Sequence, residues 1–467
     1  MTKKISIYFV GMLSSKILSV LLIPLYAFYV STTVLGYYDY IQTIMSITIP
    51  IAYIAIWEAI LKFILAEEDE MQKKVIISTS TVFSIVITLV LVVSVFITLF
   101  LSSSQSLSII LLITVMFATY ALALIWQYMA RSLGANKVYV FAGIISTILN
   151  FIAIILLVCI TKWKLEGLFI AYIVGQFSII IFIEKKIAVR KYVKIRHFNT
   201  EALKNMIKFS FPLVFNLISI WLMSAFGRFI ITHELDAYHN GLFSFASKFS
   251  LIVTMVGSVI TMAIIEEAII STKENGIDDR FKENLQLICR IFQSLILIAV
   301  PIIVIFYAFI KETDYYSSLK YAPWLLIYAV ANTVAANFGS VFQAINKTRY
   351  QFTTTAMGAI VTVVVSYVFI SSLEIYAVIL GQILGSITML FTRYLLINRY
   401  INFKISWYPI IGMAFLFIIV TMVCLNTSLI INIFVFIITI AFSIYLNISL
   451  VRLGYDYIFM RIRKDKG

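Results

Sequence analysis

Among the ionisable residues in the long apolar stretches of this 467-residue chain, five are candidates for the chemistry that a function would use. Lys16, Arg228 and Lys248 are cationic, whereas Asp39 and Glu58 are acidic. A charged group in a membrane core costs at least about 2.5–3.5 kcal/mol, so it usually faces a cavity or a partner. Arg offers phosphate a bidentate fork and Lys offers a point charge. We therefore predict that the three cations share an electropositive cavity that binds a phosphate-bearing substrate.

The cations also have structural interpretations that the sequence leaves open. Arg228 and Lys248 can extend toward the membrane surface, or pair with Glu234 and Asp236. Lys16 is less suited to this interpretation, because it lies roughly 16 Å into its apolar segment, near the midplane.

The two acids and two prolines are candidates for coupling and bending. Glu58 can carry a coupling proton, although an ion pair with Lys62 one helical turn later is the better supported reading. Asp39 is the second candidate for ion coupling, or else caps its helix. Pro24 and Pro212 lie inside apolar segments, where proline frees carbonyl groups and kinks a helix, so both are candidate hinges.

Several kinds of site are missing from the sequence. No Gly-Lys pair occurs, which excludes a Walker A loop and an ATPase site of the chain's own. Cys159, Cys289 and Cys424 are far apart and form no CxxC or Cys/His cluster, so we predict no metal site and no cofactor. The sequence therefore favours a transporter over an enzyme.

The composition shows which elements must position these residues. Hydrophobic residues make up 62% of the chain and charged residues 12%, which excludes a soluble globular domain. The apolar runs are two to three times longer than the strands of a membrane barrel, so they predict helices. We predict about fourteen membrane-spanning segments: Ile5–Val30, Gly36–Phe63, Val75–Leu101, Leu107–Arg131, Val138–Thr161, Leu165–Ile187, Met206–Thr232, Asn240–Ile270, Leu285–Ile310, Tyr321–Ile345, Tyr350–Ser371, Ile375–Asn398, Ile405–Leu425 and Ser428–Arg452.

The distribution of Lys and Arg predicts the orientation. With the N-terminus inside, 29 of the 36 basic residues are cytoplasmic, 4 are external and 3 are within segments. This bias predicts that both termini are cytoplasmic. It also accounts for most of the net charge of +14 without nucleic acid. The basic stretch from Glu184 to Lys208 is expected to lie along an anionic inner leaflet.

Weak internal repetition divides the chain. Gly175-Gln176 is matched by Gly381-Gln382, and Gly36 is matched by Gly241, at similar offsets. These matches indicate two parallel six-helix repeats, and such transporters bind substrate between their halves. The predicted parts are an N-terminal lobe (1–187), a basic cytoplasmic linker (188–205), a C-terminal lobe (206–400), and a terminal helix pair with a basic tail (401–467).

Three short motifs carry a resemblance to a known family. They are Arg228–Ile231 followed by Asn240–Lys248, the stretch Gln127–Gly134, and Asn346-Lys347-Thr348. With the 6 + 6 + 2 helix pattern, they resemble the Wzx-type flippases, the polysaccharide transporter branch of the MATE/MOP superfamily. One departure is Gly227, where the family is expected to place an aspartate before the arginine.

The resemblance implies a function. It implies a flippase that moves an undecaprenyl-pyrophosphate-linked oligosaccharide unit across the bacterial cytoplasmic membrane for capsule, O-antigen or exopolysaccharide assembly. Two lobes would enclose the cationic cavity and expose it alternately to each side. The resemblance also implies coupling to a proton or sodium gradient, and polysaccharide polymerase machinery as a partner.

Other functions remain open at this stage. A lipid II flippase of the same superfamily carries the same pyrophosphate lipid, so charge does not separate it from the first interpretation. A multidrug exporter of cationic drugs should bury more acids than bases, which is the opposite of what the sequence shows. A membrane glycosyltransferase or polymerase needs a longer external domain, and a scaffold without transport activity is the last alternative.

Overall fold

The computed structural model describes residues 20–103, 105–274, 279–344, 347–400 and 407–448, and every regular element in them is helical. The helices are α1 (Val20–Tyr29), α2 (Thr32–Ala52), α3 (Ile56–Ala66), α4 (Glu70–Ser102), α5 (Leu107–Ser132), α6 (Asn136–Ile154, continued by a π turn over Ile155–Ile160), α7 (Leu165–Ile187), α8 (Thr200–Ser224), α9 (Phe226–Glu234), α10 (Ala237–Glu274), α11 (Asp279–Phe309), α12 (Ala322–Ala344), α13 (Thr348–Leu373), α14 (Ile375–Asn398), α15 (Trp407–Asn426) and α16 (Leu429–Leu446). Short 3₁₀ turns occupy Val189–Lys191, Ile195–His197 and Asp314–Lys320.

The predicted helical architecture is confirmed: where they are described, the apolar segments coincide with a helix or with two consecutive helices, and the part of Ile5–Val30 before residue 20 lies outside the described residues. Nine of these helices are long and apolar enough to cross a membrane, and α2 with α3 forms a tenth, bent span. The chain is therefore a multi-pass membrane protein.

Helix α16 shows the reversed polarity that a membrane imposes. Ile430, Phe434 and Ile438 follow one another at helical spacing and are each more than 60% exposed, as suits contact with lipid. Asn432 and Ser443 are instead buried. The amide of Asn432 donates to the carbonyl of residue 424, and the hydroxyl of Ser443 donates to the carbonyl of residue 294. Polar side chains thus join helices where apolar packing has no advantage over lipid.

The chain forms two compact units: the described residues of Met1–Ser244 with Ser366–Glu374, and those of Phe245–Val365 with Ile375–Gly467. In the first unit, α5 packs against α3, α4, α6 and α7, while α8 packs against α2, α3 and α4. In the second unit, α11 packs against α12, α15 and α16, and α12 packs against α14. The lobe boundaries drawn from the sequence stay a prediction.

The basic segment between α7 and α8 is attached to α4 by two buried hydroxyl groups. Ser78 donates to the carbonyl of Tyr192 and accepts from the backbone N–H of Lys194, both at 3.1 Å. Thr79 accepts from the backbone N–H of Asn199, whose side chain in turn caps α8. Helix α8 begins at Thr200, six residues before the predicted start of the seventh segment at Met206, because this cap supplies its first acceptor.

The hydrogen bonds from Ser78 and Thr79 predict how firmly the basic segment is held. Each contributes about 1 kcal/mol, so the double variant Ser78→Ala/Thr79→Ala should open the segment and speed tryptic cleavage within residues 188–199 by about tenfold. Ser80→Ala is the matched control, because the hydroxyl of Ser80 donates only to carbonyls of its own helix. Equal cleavage rates in the two variants would contradict the assignment.

Candidate functional site

Two glycines allow the first turns of α2 and α10 to cross with their backbones in contact. A Cβ atom on Gly36 would overlap the carbonyl oxygen of Ala237, and one on Gly241 would overlap the carbonyl oxygen of Thr32. Each glycine is the fifth residue of its helix. Small residues permit such close crossings within membranes. The pair that matched in the sequence repeat therefore meets in space, within the first compact unit.

The crossing places polar side chains from both helices in one cluster. The amide of Asn240, which is fully buried, donates to the carbonyl of Gly36 at 2.7 Å. Asp39 and Ser244 lie three residues after their respective glycines, on the same helix faces. The hydroxyl of Ser244 donates to the Oδ2 atom of Asp39 at 2.5 Å. The carboxylate is thus oriented by a neighbour that the backbone contact brings within reach.

The same carboxylate oxygen forms an ion pair with Arg228. The Nε atom of Arg228 lies 2.5 Å from Oδ2 of Asp39, and the side chains are 21% and 16% exposed. The guanidinium also donates to the carbonyl of Ser224, in the last turn of α8. Asp39, Arg228, Ser244 and Asn240 are called the crossing cluster below. Gly227 leaves the arginine without an acidic neighbour in sequence, and α2 supplies one in space.

Aromatic rings surround the arginine. Its guanidinium carbon lies 5.7 Å from the ring centre of Phe243, within the range of a cation–π contact. Phe229 stacks on Tyr40 of α2 and lies against Trp221 of α8. The indole N–H of Trp221 is directed at the carbonyl of Thr43 in α2, 3.1 Å away. Short helix α9, which carries Arg228, is therefore held against α2 along its length.

This geometry determines what the cluster can do chemically. The ion pair is neutral as a whole, so Arg228 presents little net charge while Asp39 is ionised. Both side chains keep some exposure. A cation that compensated the charge of Asp39 would leave the guanidinium able to bind another anion.

The second predicted acid, Glu58, follows a break in the span formed by α2 and α3. The two helices meet at a bend of 53°. Ile54 and Ala55 between them have φ angles of 52° and 49°, a left-handed conformation that is costly for a β-branched residue. Pro50, in the last turn of α2, lacks the N–H that would continue the helix. Discontinuous helices are frequent at transporter sites.

Glu58 lies in the first turn of α3, where the helix dipole favours a negative charge. Its Oε1 atom accepts a hydrogen bond of 2.9 Å from the hydroxyl of Tyr128 on α5. The Lys62 ammonium instead lies 3.9 Å from the ring centre of Phe209. The expected Glu58–Lys62 ion pair is therefore not formed, and the break in the helix turns Glu58 toward α5.

The other predicted site residues are not tested by the described structure. Lys16 lies outside the described residues. Lys248 is half-buried on α10 and belongs to the second compact unit, so its place in a shared cavity stays a prediction. Pro24 on α1 and Pro212 within α8 are both exposed, and their role as hinges also stays a prediction. In the described part of the chain, no three His, Cys, Asp or Glu residues are grouped to hold a metal ion.

Arg393, in the second unit, was counted among the cytoplasmic cations in the sequence analysis, but the structure shows that it is buried. Arg393 of α14 is only 3% exposed. Its guanidinium donates to Thr354 and Thr355 of α13 at 3.0 and 2.9 Å, and to the carbonyl of Ala335 on α12. A Cβ on Gly339 would lie 2.7 Å from its Nη1 atom, so this glycine makes room for it. Arg393 thus joins three helices through neutral acceptors.

The internal repeat in the sequence contains a signal that predicts part of the crossing cluster. The offset of 205 residues that relates Gly36 to Gly241 also relates Asp39 to Ser244. The pattern Gly-x-x-polar therefore recurs in the two halves, at the start of a helix each time. Arg393 has no comparable signal, because it differs from the nearby surface cations only in its tertiary surroundings.

The sequence matches a known protein family. The sequence model of the polysaccharide biosynthesis protein family matches residues 1–265, which is more than half of the chain. The chain belongs to this family. The matched region contains α1 to α9, most of α10 and the whole crossing cluster. The resemblance seen in the sequence is therefore confirmed. A search of curated protein sequences gives no significant match.

Solved structures similar to this member of the polysaccharide biosynthesis family are membrane transporters. Lipid II flippase MurJ in an inward closed conformation is 16% identical, with a TM-score of 0.72 over 95% of this chain and 99% of MurJ. A multidrug resistance MATE family transporter of the MOP superfamily, inward-facing, is 15% identical, with a TM-score of 0.62 over 86% and 94% of the two chains. At these identities the likeness concerns the fold, and it confirms the predicted MATE/MOP-like architecture.

The ion pair predicts a coupled loss of stability. Removing either charge leaves the other partly buried without its partner, so Asp39→Asn and Arg228→Gln should each lower the free energy of unfolding by about 2 kcal/mol. The double variant should lose less than the sum of the two, because it leaves no orphan charge. Thermal unfolding of the detergent-purified protein measures all three. Strictly additive losses would show that the two residues do not interact.

Arg393 predicts a strong penalty for a conservative change. Arg393→Lys keeps the charge but loses the planar fork that reaches α12 and α13 together, so unfolding should become easier by about 3 kcal/mol. Arg399→Lys, at an exposed position of the same region, is the control and should change stability by less than about 0.5 kcal/mol. Equal melting temperatures for the two variants would show that the hydrogen bonds of Arg393 do not stabilise the packing of α12, α13 and α14.

Proposed function

We propose that this protein is a flippase that moves an undecaprenyl-pyrophosphate-linked oligosaccharide unit across the bacterial cytoplasmic membrane. The match to the polysaccharide biosynthesis family over residues 1–265 is the observation that carries this proposal. A fold similar to that of a lipid II flippase over 95% of the chain supports the handling of a lipid-linked substrate. The expected orientation has both termini in the cytoplasm, from the bias of basic residues.

The crossing cluster supplies the coupling step of this proposal. While Asp39 is ionised, it holds Arg228 in a neutral pair. Uptake of a proton converts the carboxylate to a neutral acid, or Na⁺ compensates its charge, and the guanidinium then binds the pyrophosphate. Release of the cation restores the pair and weakens the hold on the lipid. The two states of Asp39 thereby set strong and weak binding of the lipid, and no nucleotide is consumed.

The remaining candidates have defined parts in the proposal. Lys16 and Lys248 add positive charge to the cavity that receives the pyrophosphate and the first sugars. Glu58, next to the break between α2 and α3, is the alternative carrier of the coupling ion. The bend at Ile54-Ala55, rather than Pro24 or Pro212, is the hinge that the described geometry favours.

Lipid II is the alternative cargo, and the similarity to the lipid II flippase favours it. Both substrates present a pyrophosphate on a polyprenyl chain, so the crossing cluster suits either. The two functions differ in what a cell loses. A capsule or O-antigen flippase is needed only for that surface polymer, whereas a lipid II flippase is needed for the wall itself.

Deletion of the gene should separate these functions. We expect the undecaprenyl-linked repeat unit to accumulate at the cytoplasmic face and the surface polysaccharide to disappear, with the cell wall intact. Accumulation of lipid II with lysis would establish the alternative. Normal surface polymer without any precursor would refute both.

Complementation tests the coupling step in the same strain. Asp39→Asn mimics the protonated acid permanently, so it should bind cargo but not reset, and export should fall by at least tenfold. Glu234→Gln is the matched control, since this exposed acid near Arg228 bonds only to His233. Full export by Asp39→Asn would exclude Asp39 from coupling while leaving the flippase function standing.

A further inference from the structure

A groove opens on the surface of the first compact unit, between the N-terminal turns of α5 and α7. Its volume is about 950 Å³, at the upper end of the range of about 300–1,000 Å³ for ligand pockets. Leu111 and Val115 of α5, one helical turn apart, form one wall, and Ile170 and Ile173 of α7 form the other. The walls are apolar and run along the helix axes, as suits a hydrocarbon chain.

The mouth of the groove is formed by Lys162, Trp163 and Lys164, in the loop between α6 and α7. The π turn that ends α6 and the left-handed φ of 59° at Lys162 fold this loop back. The backbone N–H of Trp163 then donates to the carbonyl of Leu157 at 2.8 Å. Gly167 faces the base of the loop, since its Cβ would lie 3.3 Å from that of Trp163. The loop is therefore held in place over the groove.

The charges at this mouth are exceptional for the chain. Only 4 of the 36 basic residues are expected on the external side of the membrane, and two of them flank Trp163. Within the described part of the chain, neither lysine pairs with a carboxylate, and both are exposed. Trp and Lys side chains are typical of the level of lipid headgroups. The apolar groove thus ends at two exposed lysines, Lys162 and Lys164, at the expected level of the lipid headgroups.

We propose that this groove is a binding site for an anionic phospholipid, with phosphatidylglycerol as its occupant. One acyl chain lies between α5 and α7, and the phosphate accepts hydrogen bonds from Lys162 and Lys164. Glu166 and Ser108, which also line the groove, bind the glycerol hydroxyls. The two lysines and Glu166 leave a net charge of +1 that complements the headgroup. No residue of the groove belongs to the crossing cluster, so the site is additional to the proposed transport function.

Native mass spectrometry of the full-length protein, released from detergent after titration with phosphatidylglycerol, tests the site. The double variant Lys162→Gln/Lys164→Gln should retain about tenfold less phosphatidylglycerol than the unmodified protein, since each basic residue contributes to anionic lipid binding. Lys311→Gln/Lys320→Gln removes the other two expected external cations, both exposed, and should change retention little. Phosphatidylcholine with the same chains should bind weakly to all three proteins.

Further measurements test where the lipid binds. Val115→Trp fills the apolar wall and should also displace the lipid while leaving both lysines in place. Brominated phosphatidylglycerol should quench tryptophan fluorescence, and the variant Trp163→Phe should lose that part of the quenching.

Four outcomes would overturn the proposal. They are equal retention by the Lys162/Lys164 variant, an equal loss in the Lys311/Lys320 control, equal binding of phosphatidylcholine, and unchanged quenching in Trp163→Phe. Displacement of phosphatidylglycerol by equimolar undecaprenyl phosphate would reassign the groove to the transported lipid.

Discussion

The hydrocarbon interior of a membrane offers no hydrogen bonds, and this constraint underlies every feature described above. A polar group inside it must find its partner within the protein. Apolar packing, meanwhile, gives helices little reason to associate, because lipid chains are as apolar as leucine. Specific structure therefore has to come from close backbone contacts and from the few polar side chains. The crossing of α2 and α10 combines both, since Gly36 and Gly241 bring the helices together and Asn240 joins them.

The buried charges show two ways of meeting that constraint. Arg228 forms an ion pair with Asp39, so its charge is compensated by a carboxylate from another helix. Among the described residues, Arg393 donates to hydroxyl and carbonyl acceptors, and these bonds link three helices. The first arrangement suits a switch, because a small ion can alter it. The second suits a fixed joint, because its hydrogen bonds hold α12, α13 and α14 together.

Positions that match in the sequence repeat lie in contact where α2 and α10 cross. Equivalent glycines contact each other's helices, and the residues three positions later, Asp39 and Ser244, share a hydrogen bond. Two positions that match in the sequence are thus an acid and the hydroxyl that donates to it. The break at Ile54-Ala55 adds an asymmetric element to this frame. Strain of that kind persists only where surrounding contacts hold it, and it is common where transporters bend.

The sequence by itself determined the membrane class, the helical segments, the family and the residue types of the site, because hydropathy and charge are local properties that need no partner. The partners were decided only by the tertiary structure. Arg228 pairs with Asp39, which lies 189 positions earlier in the chain. Glu58 was expected beside Lys62, yet the break before α3 turns it to Tyr128. Arg393 looked like one more cytoplasmic cation and proved to be buried. In each case the choice depends on which helices lie side by side, and no spacing along the chain encodes that.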